Sequence, residues 1–165
     1  MSPATMSTDK PGTGVPTREQ IAQSELFTAT LEFWFTGSAH LRSPFPAPWH
    51  ATLRERTAER FHAWLSALGE EARHAVNDTI VGEKLEELLF QCGSELATNE
   101  EERLTILYPF LPRPGDPIVG GGAGGAADSV VTGRRLHREG KDAFLEVRAR
   151  RTATGEEWST RFELP

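Results

Sequence analysis

The sequence predicts an α+β fold: an antiparallel sheet of about five strands packed on a helix pair, in the order β-α-α-β-β-β-β. Three observations carry this prediction. Residues 53–68 and 81–96 place apolar side chains at every third or fourth position, the period of a half-buried helix. Residues 27–36, 104–110 and three stretches after residue 128 alternate in steps of two, the period of a half-buried strand. The tract Gly120-Gly-Gly-Ala-Gly-Gly125 separates a part rich in helix patterns from one rich in strand patterns. The two parts also differ in charge. Residues 1–127 hold 10 basic and 17 acidic side chains, and residues 128–165 hold 8 and 7.

Residues 1–16 are mostly Ser, Thr, Pro and Gly with little to bury, so they are expected to form a flexible tail. Residues 17–165 are expected to form a single α+β domain, the length being that of one core. Thr17 and Gln20 have the spacing of a capping box and open a helical turn. Phe27, Ala29, Leu31, Phe33 and Phe35 then alternate with Thr28, Thr30, Glu32, Trp34 and Thr36, predicting a first strand that Gly37 and Ser38 end. Pro44, Pro46 and Pro48 force an extended connection, with Pro48 suited to the first position of the next helix. That helix buries Leu53, Thr57, Phe61, Trp64 and Leu68 and stops near Gly69. Residues 70–78 read either as helix or as a turn around Asn77 and Asp78. The second helix buries Val81, Leu85, Leu88, Leu89, Cys92 and Leu96. Leu104, Ile106, Tyr108 and Phe110 alternate as a second strand, which Pro109 and Pro112 confine to an edge. Past a loop at 120–127, residues 130–138, 143–152 and 157–164 form an antiparallel meander joined by two turns rich in Gly, Asp and Glu. Leu145, Val147, Ala149, Trp158, Phe162 and Leu164 form its core face. Glu146, Arg148, Arg150, Ser159, Arg161 and Glu163 face outward.

Composition narrows the function classes. The chain is 38% hydrophobic and 25% charged, as ordinary globular proteins are. A net charge of -6 opposes general binding to nucleic acid or anionic membranes, which need a positive surface field. The arginines among residues 134–151 are interleaved with Glu139, Asp142 and Glu146 and lack alternating aromatics, so nucleic acid is not the expected partner there either. No stretch has the length or apolarity of a membrane span or secretory leader, and a cytoplasmic location is expected. The single cysteine allows neither an intrachain disulfide nor a thiolate zinc site. Arginine outnumbers lysine 15 to 3, a bias expected of a GC-rich bacterial genome.

Tempting chemistries each meet an objection. Gly120-x-Gly122-x-x-Gly125 has the spelling of a dinucleotide fingerprint, but a phosphate cradle needs a helix N-terminus directly after it, and strand formers follow. Glu59/His62 and Glu71/His74 make two Glu-x-x-His pairs of the type that hold di-iron centres in helix bundles. Glu59 and His62, however, lie off the apolar stripe, and the pairs are offset by roughly 5 to 10 Å along a hairpin at 1.5 Å rise per residue. Cys92 falls on an apolar stripe, where a lone cysteine serves as a small hydrophobe. No Gly-x-Ser-x-Gly elbow occurs, and His40, His50 and His137 have no carboxylate pattern beside them in sequence. No catalytic, metal-binding or cofactor-binding residue is therefore expected.

The expected function is that of a non-catalytic cytoplasmic accessory protein that binds another protein, as a chaperone, inhibitor or assembly factor does. The alternative is a domain that binds a small apolar ligand, or a cofactor-free enzyme, with an aromatic-lined pocket between sheet and helix. Either would use the candidate pocket or interface aromatics Trp34, Trp49, Trp64, Tyr108, Phe110 and Trp158. Phe45, Trp49 and Phe110 are expected to pack their proline-rich stretches against the core, because aromatic surface is costly to leave in water.

Overall fold

The computed structural model describes residues 14–37, 42–120 and 127–164. Most of the expected tail and the centre of the glycine tract lie outside the described residues. The fold is α+β. The chain forms two compact units, one ending at Pro109 and the other starting at Phe110.

The first unit is helical. Thr17 closes the expected capping box, its hydroxyl accepting from Gln20 N–H while Gln20 Oε1 accepts from Thr17 N–H at 2.8 Å, and α1 spans Arg18–Gln23. Ser24 caps the next element, and here the structure corrects the first expected strand. Residues Glu25–Thr36 form helix α2. Both periods fit this segment, and tertiary burial chose the helical one. Phe27, Leu31, Trp34 and Phe35, spaced by four, three and one, are buried, whereas Ala29 and Phe33 of the alternating set are exposed. The Ser24 hydroxyl accepting from Phe27 N–H is the local signal for a helix start.

Pro48 lies in a 3₁₀ turn, Ala47–Trp49, that leads into α3, His50–Ala67, rather than starting that helix itself. Leu53, Thr57, Phe61 and Leu65 form the buried stripe of α3. Leu68 turns extended and Gly69 caps a separate short helix α4, Glu70–His74, so residues 70–78 hold both a helix and the turn to Asn77. Asn77 Oδ1 accepts from Ile80 N–H and opens α5, Asp78–Leu96, which buries Leu85, Leu88, Leu89 and Cys92. The second expected strand is also corrected. Asn99 Oδ1 accepts from Glu102 N–H at 2.8 Å, three glutamates fill the first turn, and Glu100–Leu107 forms helix α6. Negative side chains at the positive end of a helix dipole outweigh the short alternation of Leu104 and Ile106.

The core of this unit joins α1, α2, α3, α5 and α6 with Phe45 from the proline-rich connection. A chain of rings runs through it. Trp34 meets Phe90 edge-on at 4.8 Å, Phe90 meets Phe45 at 5.0 Å, and Phe35 meets Phe45 at 6.1 Å. His50 stacks on Phe35 at 4.0 Å and donates from Nε2 to the Phe45 carbonyl. Gly93 makes room for this packing, since a Cβ there would lie 2.6 Å from the Phe45 ring and 3.3 Å from Ile106 Cδ1.

The second unit carries a four-stranded antiparallel sheet in the order β1-β2-β3-β4, where β1 is Pro117–Ile118, β2 Ser129–Glu139, β3 Asp142–Arg151 and β4 Glu157–Glu163. The expected meander is present within a residue or two at each end, and β1 is an addition the sequence did not announce. With α2 and α6 in place of strands, the expected order β-α-α-β-β-β-β gives way, among the described residues, to six α-helices followed by four strands. Gly140 at φ 62° makes the β2–β3 turn, and Gly155 at φ 77° makes the β3–β4 turn, a region that favours glycine. The β2–β3 register shifts between Val131 and Gly133, leaving Thr132 in a bulge. No helix among the described residues is long and apolar enough to cross a membrane.

Candidate functional site

Strand register assembles three rows on the outward side of the sheet. His137, Phe144 and Glu163 lie across β2, β3 and β4; Arg135, Glu146 and Arg161 form the next row; Gly133, Arg148 and Ser159 the third. Phe144 belongs to this polar side by parity, yet only 8% of it is exposed. Its neighbours cover it. The Arg161 guanidinium carbon lies 3.6 Å from the ring centroid, and the His137 ring stacks alongside at 5.0 Å and 12°. A cation–ring contact at the protein surface contributes about 0.5–1 kcal/mol, enough to hold the exposed Arg161 across the strand.

His137 Nε2 lies 3.0 Å from Glu146 Oε1, a carboxylate that the sequence does not place beside this histidine. The two are nine residues apart and become neighbours only through the β2–β3 pairing. A carboxylate that fixes an imidazole is the arrangement used to orient a proton carrier. Among the described residues, however, the hydrogen bonding of this ring goes to Glu146 alone, and no hydroxyl completes a relay to a nucleophile. The arrangement is a shielded aromatic floor with charged groups above it.

Beside the cluster, an open depression of about 290 Å³ is lined by Thr132, Glu146, Arg148, Glu157, Trp158 and Ser159. Arg148 reaches back over β2, and a Cβ at position 133 would sit 2.8 Å from its Nη2. Glycine beside the bulge is what lets the guanidinium lie flat. Hydroxyl, carboxylate and guanidinium groups together suit a polar or peptide-like group.

At the far end of the meander, Gly120 and Asp128 are tied together. The Asp128 carboxylate accepts from Gly120 N–H at 2.7 Å, the Ser129 hydroxyl at 3.0 Å and Arg151 Nη1 at 2.8 Å. Arg151 Nη2 donates to the Gly120 carbonyl and its Nε to Glu156. The Gly120 N–H, aided by Ser129 and Arg151, holds the Asp128 carboxyl below the usual aspartate range. Trp158 Nε1 donates to Ser129 Oγ at 2.9 Å and joins the same network.

In the helical unit, Cys92 is buried, as its place on the apolar stripe implied, and burial pushes its thiol pKa up despite Arg60 and the adjacent Thr57 hydroxyl. A raised thiol is a poor nucleophile at neutral pH. The Thr57 hydroxyl beside it is buried without a hydrogen bond of good geometry. Arg60 pairs with Glu95, which raises the pKa of the first and lowers that of the second. Glu59 lies 3.7 Å from Arg18, and Glu71 and His74 are exposed on α4. His40 lies outside the described residues.

The six candidate aromatics are distributed along the whole chain. Trp34 on α2 is buried, its Nε1 donating to Glu86 at 2.8 Å. Trp49 and Trp64 are partly buried against the helical core, with Lys84 Nζ 5.3 Å from the Trp64 ring. Tyr108 follows α6 and is half-buried, and Trp158 is half-buried on β4. Phe110 is 75% exposed, which corrects the expectation that it packs. The residues sequence reasoning missed are Phe144, His137 with Glu146, and the Asp128–Arg151 pair. Phe144 was within reach, because it stands two positions before outward-facing Glu146.

No protein-family model matches the chain, and no curated protein or solved structure matches it.

Proposed function

We propose that the protein acts by binding another polypeptide, without catalysis of its own, and that the proline-rich stretch from Pro109 to Pro114 is its docking segment. The observation that carries this reading is an exposed aromatic on a fixed backbone. Phe110 is 75% exposed, and Leu107 and Val119, on either side in sequence, are 62% and 46% exposed. The segment after Phe110 is pinned to β2 at several points. Arg134 Nη1 donates to the Pro112 carbonyl at 2.8 Å, Gly115 N–H to the Val131 carbonyl at 2.9 Å, and Val131 N–H to the Asp116 carbonyl at 2.9 Å.

Holding a binding segment in place before the partner arrives lowers the entropy lost on association. A large aromatic is the residue type that fills a partner's pocket and carries much of an interface's energy. Prolines reinforce this, since they restrict the free chain to few conformations and suit an aromatic-lined groove.

Affinity capture from the native host with the full chain, compared with Phe110→Ala, tests the reading. The expected result is a stoichiometric partner held by the wild type and lost by the variant, a weakening of about 2 kcal/mol or more for a central aromatic anchor. Equal capture by both proteins, or no stoichiometric partner at all, overturns it.

A further inference from the structure

Strand β4 forms one edge of the sheet, and among the described residues no strand pairs with its outer side. Its hydrogen-bond register determines which groups that edge offers. Leu164 N–H donates to the Ala143 carbonyl and Arg151 N–H to the Glu156 carbonyl, so the close pairs with β3 fall at 143/164 and 151/156 and at every second position between. Trp158, Thr160 and Phe162 therefore spend their backbone groups on β3. The N–H and C=O of Glu157, Ser159, Arg161 and Glu163 point the other way, and all four residues are exposed.

The charges on this edge select among the ways it could meet its own copy. An antiparallel pair centred on Thr160 would be the longest, but it sets Glu157 opposite Glu163 twice. One centred on Arg161 sets two guanidinium groups face to face. Centred on Ser159, the pair places Arg161 of each copy opposite Glu157 of the other, on the outward side. Thr160 then stands opposite Trp158 on the inner side. Directly opposed unlike charges and aromatic–Thr neighbours are the cross-strand pairs that stabilise a sheet, and opposed like charges destabilise it. Charged edges commonly keep strands apart, and here the same charges favour a self-pairing register.

We propose that the outer edge of β4 is a self-recognition strand, on which a second copy of this chain pairs antiparallel about Ser159 to continue the sheet from four strands to eight. The inference is independent of the docking role given to Phe110. Sedimentation equilibrium of the full chain, up to roughly 100 µM as suits an affinity in the micromolar range, reads the outcome. The wild type is expected to be a reversible dimer. Glu157→Arg, which opposes two cations at each of the two sites, is expected to weaken the dimer about tenfold or more. Adding Arg161→Glu to Glu157→Arg restores opposed unlike charges and is expected to recover the dimer. Glu163→Arg, which has no counterpart across this register and removes from Arg161 only an exposed ion pair, is expected to leave the dimer within about twofold of the wild type. Thermal melts of each variant separate lost pairing from lost folding. A wild type that stays monomeric overturns the proposal. So does a dimer that ignores Glu157→Arg, one that the double change fails to rescue, or one that breaks on Glu163→Arg instead.

Discussion

Single residues here are constrained mainly by what lies within van der Waals reach. Gly93 shows it well. Alanine is the better helix former by about 1 kcal/mol, so propensity alone would favour Gly93→Ala in the last turn of α5. The added Cβ would meet the ring of Phe45, which is 2% exposed and held by Phe35 and Phe90. Overpacking of this kind costs about 1–3 kcal/mol, and the steric effect wins. Urea unfolding should show a lowered midpoint for Gly93→Ala, and an unchanged or raised midpoint would mean that the ring yields. Asp128 makes a prediction of the opposite, electrostatic kind. Its carboxyl titrates lower in the folded chain than in the unfolded one, so the unfolded state binds the proton more readily. The resulting stability is present above the ordinary aspartate pKa and is lost as pH falls through the depressed folded value. Wild type should therefore exceed Asp128→Asn in urea midpoint at neutral pH, with the gap closing in acid below about pH 4, near the ordinary aspartate value. A gap independent of pH would show that the carboxylate charge contributes nothing.

At the scale of elements, the meander was legible because its information is local. Gly140 and Gly155 sit at turns that need a positive φ, and Leu145, Val147 and Ala149 alternate with Glu146, Arg148 and Arg150 without ambiguity. The segments that became α2 and α6 were not legible from apolar spacing. Phe27 to Thr36 satisfies periods of two and of nearly four at once, and only burial of Trp34 in place of Phe33 separates them. The deciding signals were polar and stood just ahead of each segment: Ser24 and Asn99 at the caps, with Glu100, Glu101 and Glu102 behind the latter. Asn99→Ala should cost about 1 kcal/mol, read as a drop in thermal midpoint, because it leaves the Glu102 N–H in the first turn of α6 without its cap. Residues of the candidate site were hidden for a different reason. His137 meets Glu146, and Arg161 meets Phe144, through cross-strand register, which sequence spacing does not display.

Across the whole molecule, charge is uneven. Up to Pro109 the chain carries 9 basic and 16 acidic side chains, whereas from Phe110 onward it carries 9 and 8. The helical unit therefore carries a net -7 and the sheet unit +1, which together make the -6 of the chain. Repulsion between molecules at neutral pH rests on that unit, and it fades as the carboxylates take up protons. Solubility should pass through a minimum near pH 5.4, the isoelectric point, and recover on either side; turbidity across pH at fixed concentration checks it.

The tie between Gly120 and Asp128 has a further consequence, for the evolution and engineering of the chain. Backbone, carboxylate and guanidinium together fix the two points where the chain leaves the sheet and rejoins it. Whatever length runs between them, the sheet is presented with the same two ends. Flexible sequence inserted between two fixed points adds a closure cost only with the logarithm of its length, about 0.6 kcal/mol for each doubling. Length at this position is thus nearly free to drift, and foreign sequence, from an epitope to an entire small domain, can be spliced in while the four strands keep their register.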